Sequence, residues 1–396
     1  MKTIKDINFK GKKVIVRVDF NVPLNDHLEI TDNTRIRESI PTLKKLVEDE
    51  ARIILMSHLG RPKGKVVPEM SLIHVAKEFS KLMGRNVKFC SEPLGIAVIQ
   101  QVEELRNGEI LLLENLRFYP GETDGDEEIA KKLADLADVY INDAFGVCHR
   151  SHSSTTVIAK YFPNDKYFGF LMEHEIRNLE KVLSTKETPY TAIIGGAKVS
   201  SKIDIIRNLI PKVDNMIIGG GMSFTFLKAL GGKVGDSLYE EDKVELAREI
   251  MNEMILREVN IYLPTDVIIA DRFSNDANIQ TVKADAIPDG WIGMDIGPVS
   301  RKRFALAINT SRMIMWNGPM GVFEMENFSL GTKTVAVSVA SGTTSGAFSA
   351  IGGGDSVAAI NKYGLADLLS YVSTGGGAML EYLEGKPLPG IQAIRE

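Results

Sequence analysis

Arginine, lysine, histidine and glycine cluster in this chain where apolar runs end, and that placement points to anion chemistry. Four stretches, "RVDFN" (17–21), "SHLGRP" (57–62), "ENLRF" (114–118) and "FGVCHRSHSS" (145–154), carry Arg61, Arg117 and Arg150 with Asp19, Asn21 and His58; Arg35 follows the first of them in "DNTRIRES". An arginine fork matches carboxylate or phosphate oxygens, so several converging on one point make a clamp for a small polyanion. A single arginine is more often a surface ion pair, but four on separate strand-end loops argue for binding. Asp19 and Asn21 would hydrogen-bond the hydroxyls of such a ligand. His58 reads as a neutral donor or partly charged contact, because base work needs a substrate with a proton to lose. "CHRSH" (148–152) offers Cys148, His149 and His152 to a metal, but no zincin glutamate accompanies H-x-x-H and no further Cys/His cluster completes a set.

The second half is built differently. Its loops are "GGAKVSSK" (195–202), "GGGM" (219–222), "WNGPMGVFE" (316–324), "GGGDS" (352–356) and "STGGGAM" (373–379). Glycine lets backbone N–H groups approach a ligand, and a following helix start favours negative charge. Neither familiar nucleotide fingerprint is present: Lys198 follows Ala197, Lys202 follows Ser201, and no G-x-G-x-x-G occurs. If the loop turns into a helix, Lys198 and Lys202 share one face and reach the same phosphates. Asp355 is either a carboxylate for a magnesium-bound phosphate chain or a helix N-cap. Backbone N–H groups at Gly375, Gly376 and Gly377 would add donors at a helix start.

Elements must hold these loops in place. Near-continuous Val/Ile/Leu runs such as "VIVRVDFNVP" (14–23), "EILLLENLRF" (109–118), "TAIIGGAK" (191–198) and "IYLPTDVIIA" (261–270) alternate with amphipathic stretches such as "DEEIAKKLADLAD" (126–138). That alternation predicts α/β architecture with parallel sheets covered on both faces, whose ligands sit beyond the strands' carboxyl ends. At 396 residues the chain has room for two domains. Residues 1–170 hold 25 Lys+Arg against 25 Asp+Glu and five of six histidines, whereas 25 of 35 glycines lie beyond. Two halves with different tasks follow. "GFLMEHEIRNLEKVLS" (169–184) reads as a helix leading from one to the other. A net charge of −5 without like-charge runs argues against a nucleic-acid partner. The absence of a long apolar segment argues against a membrane partner, and two cysteines suit a reducing, cytoplasmic setting.

In order, "RVDFNVP", "SHLGRPKG", "ENLRF", "NDAFG" with "HRSHSS", "GGAKVSSKI", "GGGMSFTF", "WNGPMGVFE", "GGGDS", "STGGGA" and the closing "GKPLPGI" resemble the phosphoglycerate kinase family. The resemblance implies two doubly wound, Rossmann-like parallel-sheet domains of similar size, 1–170 and 171–379, joined by the 169–184 helix and a hinge. Residues 380–396 would pack back on the first. It implies reversible in-line phosphoryl transfer between 1,3-bisphosphoglycerate and ADP, giving 3-phosphoglycerate and ATP, without a covalent enzyme intermediate. Magnesium would arrive as Mg-ADP or Mg-ATP, and the protein would be a monomer.

Carried over by motif, the glycerate site would comprise Asp19, Phe20, Asn21, Arg35, His58, Leu59, Gly60, Arg61, Arg117 and Arg150. The nucleotide site would comprise Gly195, Lys198, Lys202, Gly219, Gly220, Gly293, Asn317, Pro319, Glu324 and Gly353, Gly354, Asp355 and Ser356, with Glu324 on the ribose and Asp355 on the metal. Ser201 stands where many members carry Asp, which removes a carboxylate beside the phosphates. Because both reacting oxygens are deprotonated near neutral pH, the reaction needs charge stabilisation rather than a base. That singles out Arg35 and Lys198, with Gly375 and Gly376 as further donors, for catalysis. The rival expectations are another acyl-phosphate-forming kinase, or a nucleotide-binding protein without catalysis.

Overall fold

The strand β1 (Lys13–Val18) is buried from its second residue onward, as befits a strand covered by helices on both faces. It sits inside a six-stranded sheet with β2 (Arg52–Met56), β3 (Lys88–Cys90), β4 (Ile110–Leu113), β5 (Val139–Asp143) and β6 (Lys166–Phe168), ordered β3-β4-β2-β1-β5-β6. Every pairing is parallel. The computed structural model describes residues 1–396. From β1 the chain steps outward to β2, and from β5 it steps the other way to β6. The order therefore reverses between β1 and β5, where such sheets open a crevice at their carboxyl ends. Val14, Val16, Ile53, Leu55, Phe20 and Phe79 share one core here.

A second six-stranded parallel sheet runs Asn260–Tyr262, β8 (Asn215–Ile218), β7 (Tyr190–Ile194), Met313–Asn317, Phe348–Gly352 and Tyr371–Val372. Its reversal falls between β7 and Met313–Asn317, so "GGAKVSSK" and "NGPMG" lie side by side at the crevice. Fully buried Trp316 anchors the core beneath.

"IYLPTDVIIA" is not one strand. Asn260–Tyr262 joins the parallel sheet, whereas Asp266–Ala270 pairs antiparallel with Ile279–Lys283 and Ile292–Ile296 in a separate sheet. Pro264, which has no N–H for a ladder, stands at the break. The stretch at 126–138 forms the helix Glu127–Ala134, capped by the Asp126 side chain on the Ile129 N–H.

The chain divides into two units, Met1–Arg177 with Pro387–Glu396, and Asn178–Lys386. The division falls inside the helix Phe170–Ser184 rather than before it, and the returning segment starts at Pro387 rather than at 380. No helix is long and apolar enough to cross a membrane.

Candidate functional site

In the first unit the loops after β1, β2, β4 and β5 bring the expected cations into one cluster. Arg35, from the helix Thr34–Glu48, donates to the Asp19 carboxylate at 2.7 Å, and Asp19 also accepts the Asn21 N–H. Asn21 Oδ1 accepts the Gly60 N–H at 2.9 Å, and the Gly60 carbonyl accepts from Arg117 Nη1 at 2.9 Å. Phe20 and Leu59 turn their side chains into the core, so only their backbones can face a ligand. Arg61 and Arg150 are exposed.

Three residues outside the sequence expectation, Arg17, Ser154 and Glu122, complete the cluster. Arg17, fully buried, donates to Ser154 Oγ at 2.9 Å and to the Val18 carbonyl, and meets His58 Nδ1 at 3.0 Å. Ser154 in turn donates to Glu122, which is also fully buried. The cluster has more cations than carboxylates. Burial, then the charge of Arg17, brings the Arg117 guanidinium down to about 10, although Glu122 and Asp19 pull the other way. Burial, then Arg17, Arg117, Arg35 and His152, holds His58 well below the ordinary imidazole value. Burial, then Arg17, Arg117, Arg150 and His149, brings His152 down to about 3. A buried guanidinium that outnumbers its counter-charges is receptive to an anion. The signal for Arg17 is its place in "RVDFN", although a strand-interior arginine by itself resembles no ligand contact.

The two neutral histidines give a pH dependence. Unfolded, they take up protons near 6.5, whereas folded His152 does so only near 3. Through these two rings the unfolded state binds more protons in that window, so their contribution to stability is complete above about pH 6.5 and falls as the pH drops towards about 3, while buried Asp143 and Asp295, each pushed up to about 7, act in the opposite sense. Urea unfolding of the wild type and His152→Gln at about pH 7 and about pH 5 isolates the share of His152: the variant should lose less stability between the two pH values than the wild type does.

In the second unit a cavity of about 740 Å³ opens beside the crevice, lined by Gly196, Ala197, Gly220, Gly293, Pro319, Glu324 and Asp355 with the apolar Phe224, Leu238, Met294 and Val322. A largely apolar cavity with carboxylates in its lining suits a base and its sugar. The glycine loops around it are laced together by backbone bonds: Gly195 N–H to Asn317 O, Gly196 N–H to Pro319 O, and Gly220 N–H to Met320 O. A Cβ at Gly195 would meet Gly318 and Pro319, and one at Gly219 would meet Met320. These glycines let loop meet loop. Gly196, at φ +105° with open space around it, is where a ligand could approach, and the sequence reading passed over it.

Gly293 lacks a Cβ because the Phe224 ring occupies that space. Gly293→Ala should therefore overpack the cavity wall, costing about 1–3 kcal/mol and raising the KM for nucleotide. Denaturant unfolding and nucleotide titration check both effects.

The expected shared helical face of the two lysines does not form, because residues 197–202 are not helical and the helix starts at Ile203. Lys198 is exposed, and its carbonyl accepts from Ser201 Oγ. Lys202 is turned inward to Asn317 Oδ1, and burial lowers its ammonium pKa against the pull of Asp355 and Glu384. Asn317 Nδ2 holds the Gly352 carbonyl, and Ser356 Oγ accepts the Gly318 N–H at 2.6 Å. Lys202, Asn317, Asp355 and Ser356 are thus one neighbourhood. Asp355 is not a cap: the cap position of Gly354–Tyr363 is Gly353, and Asp355 stands exposed in the first turn. One exposed carboxylate beside the inward-turned Lys202 is the kind of group that could hold magnesium together with a ligand's own oxygens. Gly354 lies in open space; a Cβ at Gly353 would press on the Asn317 side chain. Gly375 N–H donates to Ser373 Oγ, and Gly376 precedes the helix Gly377–Leu383 at φ +51°.

The phosphoglycerate kinase family model matches residues 4–386, a span that includes every site loop described above. A phosphoglycerate kinase of Porphyromonas gingivalis is 51% identical over 417 residues, covering 99% of this chain and 100% of that protein. The solved phosphoglycerate kinase of Coxiella burnetii is 39% identical with a TM-score of 0.90, covering 99% of this chain and 98% of that one. That of Pyrococcus horikoshii OT3 is 32% identical with a TM-score of 0.84, covering 100% and 98%. With two parallel six-stranded sheets, a cationic crevice on one and a glycine-walled cavity on the other, and matches of this length and identity, the chain belongs to the phosphoglycerate kinase family.

Proposed function

We propose that the protein catalyses reversible transfer of a phosphoryl group between 1,3-bisphosphoglycerate and ADP, giving 3-phosphoglycerate and ATP, as a step of glycolysis or its reverse. The single observation that carries this reading, beside family membership, is the surplus of cations around Arg17 and Arg117 in the first unit. Such a surplus suits an acid that brings a phosphate of its own. Arg35, Arg61, Arg117, Arg150 and His58 would hold that acid, with Asp19 and Asn21 on its hydroxyl. The cavity in the second unit would take the nucleotide, Glu324 the ribose, Lys202 and the Gly353–Ser356 turn the phosphates, and Asp355 the magnesium. The metal's contribution when bound is neutralisation of phosphate charge.

The chain's own residues have little covalent work to do. A carboxylate and a phosphate oxygen are both deprotonated at neutral pH, so no base is required, and His58, buried and held neutral, is no base. What remains is stabilisation of charge spread over the moving group's three equatorial oxygens. Arg35 and Lys198 are the cations assigned to it. The reaction would be carried out in the cytoplasm, a reducing setting that two buried free cysteines suit. A coupled assay with 3-phosphoglycerate, ATP and magnesium tests the reading: turnover should depend on the phosphorylated acid, and none with it would overturn the assignment.

A further inference from the structure

Arginine carries five N–H donors and no acceptor, so an imidazole nitrogen at 3.0 Å from Arg17 Nη2 must be the bare, accepting one. His58 Nδ1 therefore carries no proton, and the neutral ring keeps its proton on Nε2, at the opposite end from Arg17. The guanidinium itself cannot swing away. It is fully buried, its Nε is held by Ser154 Oγ at 2.9 Å, and its Nη1 by the Val18 carbonyl. Ser154 is fixed in turn by Glu122 through both its hydroxyl, at 2.5 Å, and its backbone N–H, at 3.1 Å. A line of four side chains, Glu122–Ser154–Arg17–His58, thus ends on one ring nitrogen.

We propose that Arg17 is a positioning residue for the reaction, fixing His58 as its Nε2–H tautomer so that the ring presents a neutral donor to the bound acid. This rests on the reading of the first unit as the site of the phosphorylated acid. The alternative tautomer would turn a lone pair towards an anion, which repels it. A protonated ring is disfavoured by burial and by the charges around it, Arg17, Arg117 and Arg35. Arg17 need not touch substrate to do this.

The test is nitrogen NMR of the full-length protein labelled with 15N-histidine, alongside steady-state kinetics. In the wild type, His58 should show Nδ1 bare and Nε2 protonated, unchanged between about pH 8 and about pH 5.5. In Arg17→Met the ring should lose its single tautomer and begin to titrate in that range. The KM for 3-phosphoglycerate should rise roughly tenfold, as expected for loss of one well-placed hydrogen bond. Arg17→Lys, which keeps a donor, should restore the tautomer in part. An Nδ1–H tautomer in the wild type overturns the proposal without any variant, so a variant that fails to fold does not block the test. An unchanged tautomer and flat titration in a folded Arg17→Met overturn it too. Failure of the functional reading looks different: the tautomer would be as described, but 3-phosphoglycerate would give no turnover.

Discussion

Arg35→Ala should lower kcat on the order of 10²-fold or more, the usual size for loss of one charge contact made in the transition state. The side chain is placed for that work, about one-third exposed and held at 2.7 Å by an Asp19 carboxylate that is almost fully buried. Truncation has a second effect. Asp19 would be left without its Arg35 partner beside the proposed site of an anionic substrate, so part of the loss would be repulsion. The double variant Arg35→Ala/Asp19→Asn separates the two: recovery of KM with kcat still low isolates the missing cation. If Arg35→Ala alone kept near-normal kcat and only raised KM, Arg35 would be a binding residue.

Lys198→Ala is the companion experiment, expected to slow turnover about 10²-fold while ADP still binds. The structure sharpens it by separating the two lysines of one loop. Lys198 is exposed, whereas Lys202 is partly buried against Asn317. Lys202→Met should therefore weaken nucleotide binding and lower stability together, since Asn317 Oδ1 would lose its partner in a buried setting. Isothermal titration with ADP and single-turnover kinetics on both variants distinguish these outcomes. Loss of ADP binding in Lys198→Ala, without a separate rate defect, would contradict its role.

Much of this was legible in the residues. Hydrophobic runs such as "VIVRV" and "TAII" gave β1 and β7, because strands buried on both faces leave an unbroken apolar record. The arginines stood out because strand-end loops of such sheets are where ligands sit. Loop conformation was less legible. "GGAKVSSK" reads equally well as a helix start or a turn, and the contacts of Gly196 with its neighbours, made across the sheet, decide for the turn. The glycines were over-read as ligand approaches, since a sequence does not show that Gly195 faces Pro319 or that Gly293 faces Phe224. Arg17 is hard to read for the opposite reason, because its partners Ser154 and His58, and Glu122 behind Ser154, come from three distant stretches of the chain.

The return of Pro387–Glu396 to the first unit has a consequence for how the protein is made. Ile391 and Ile394 are buried there, and Gly390 N–H donates to the Cys148 carbonyl. Ribosomes extend chains at about 5–20 residues per second, so the 209 residues from Asn178 to Lys386 take roughly 10–40 s to synthesise. For that interval the first unit is outside the ribosome but lacks its closing segment, with the backbone around Cys148 uncovered. The part of the protein that is born first is finished last, once Pro387–Glu396 has been added.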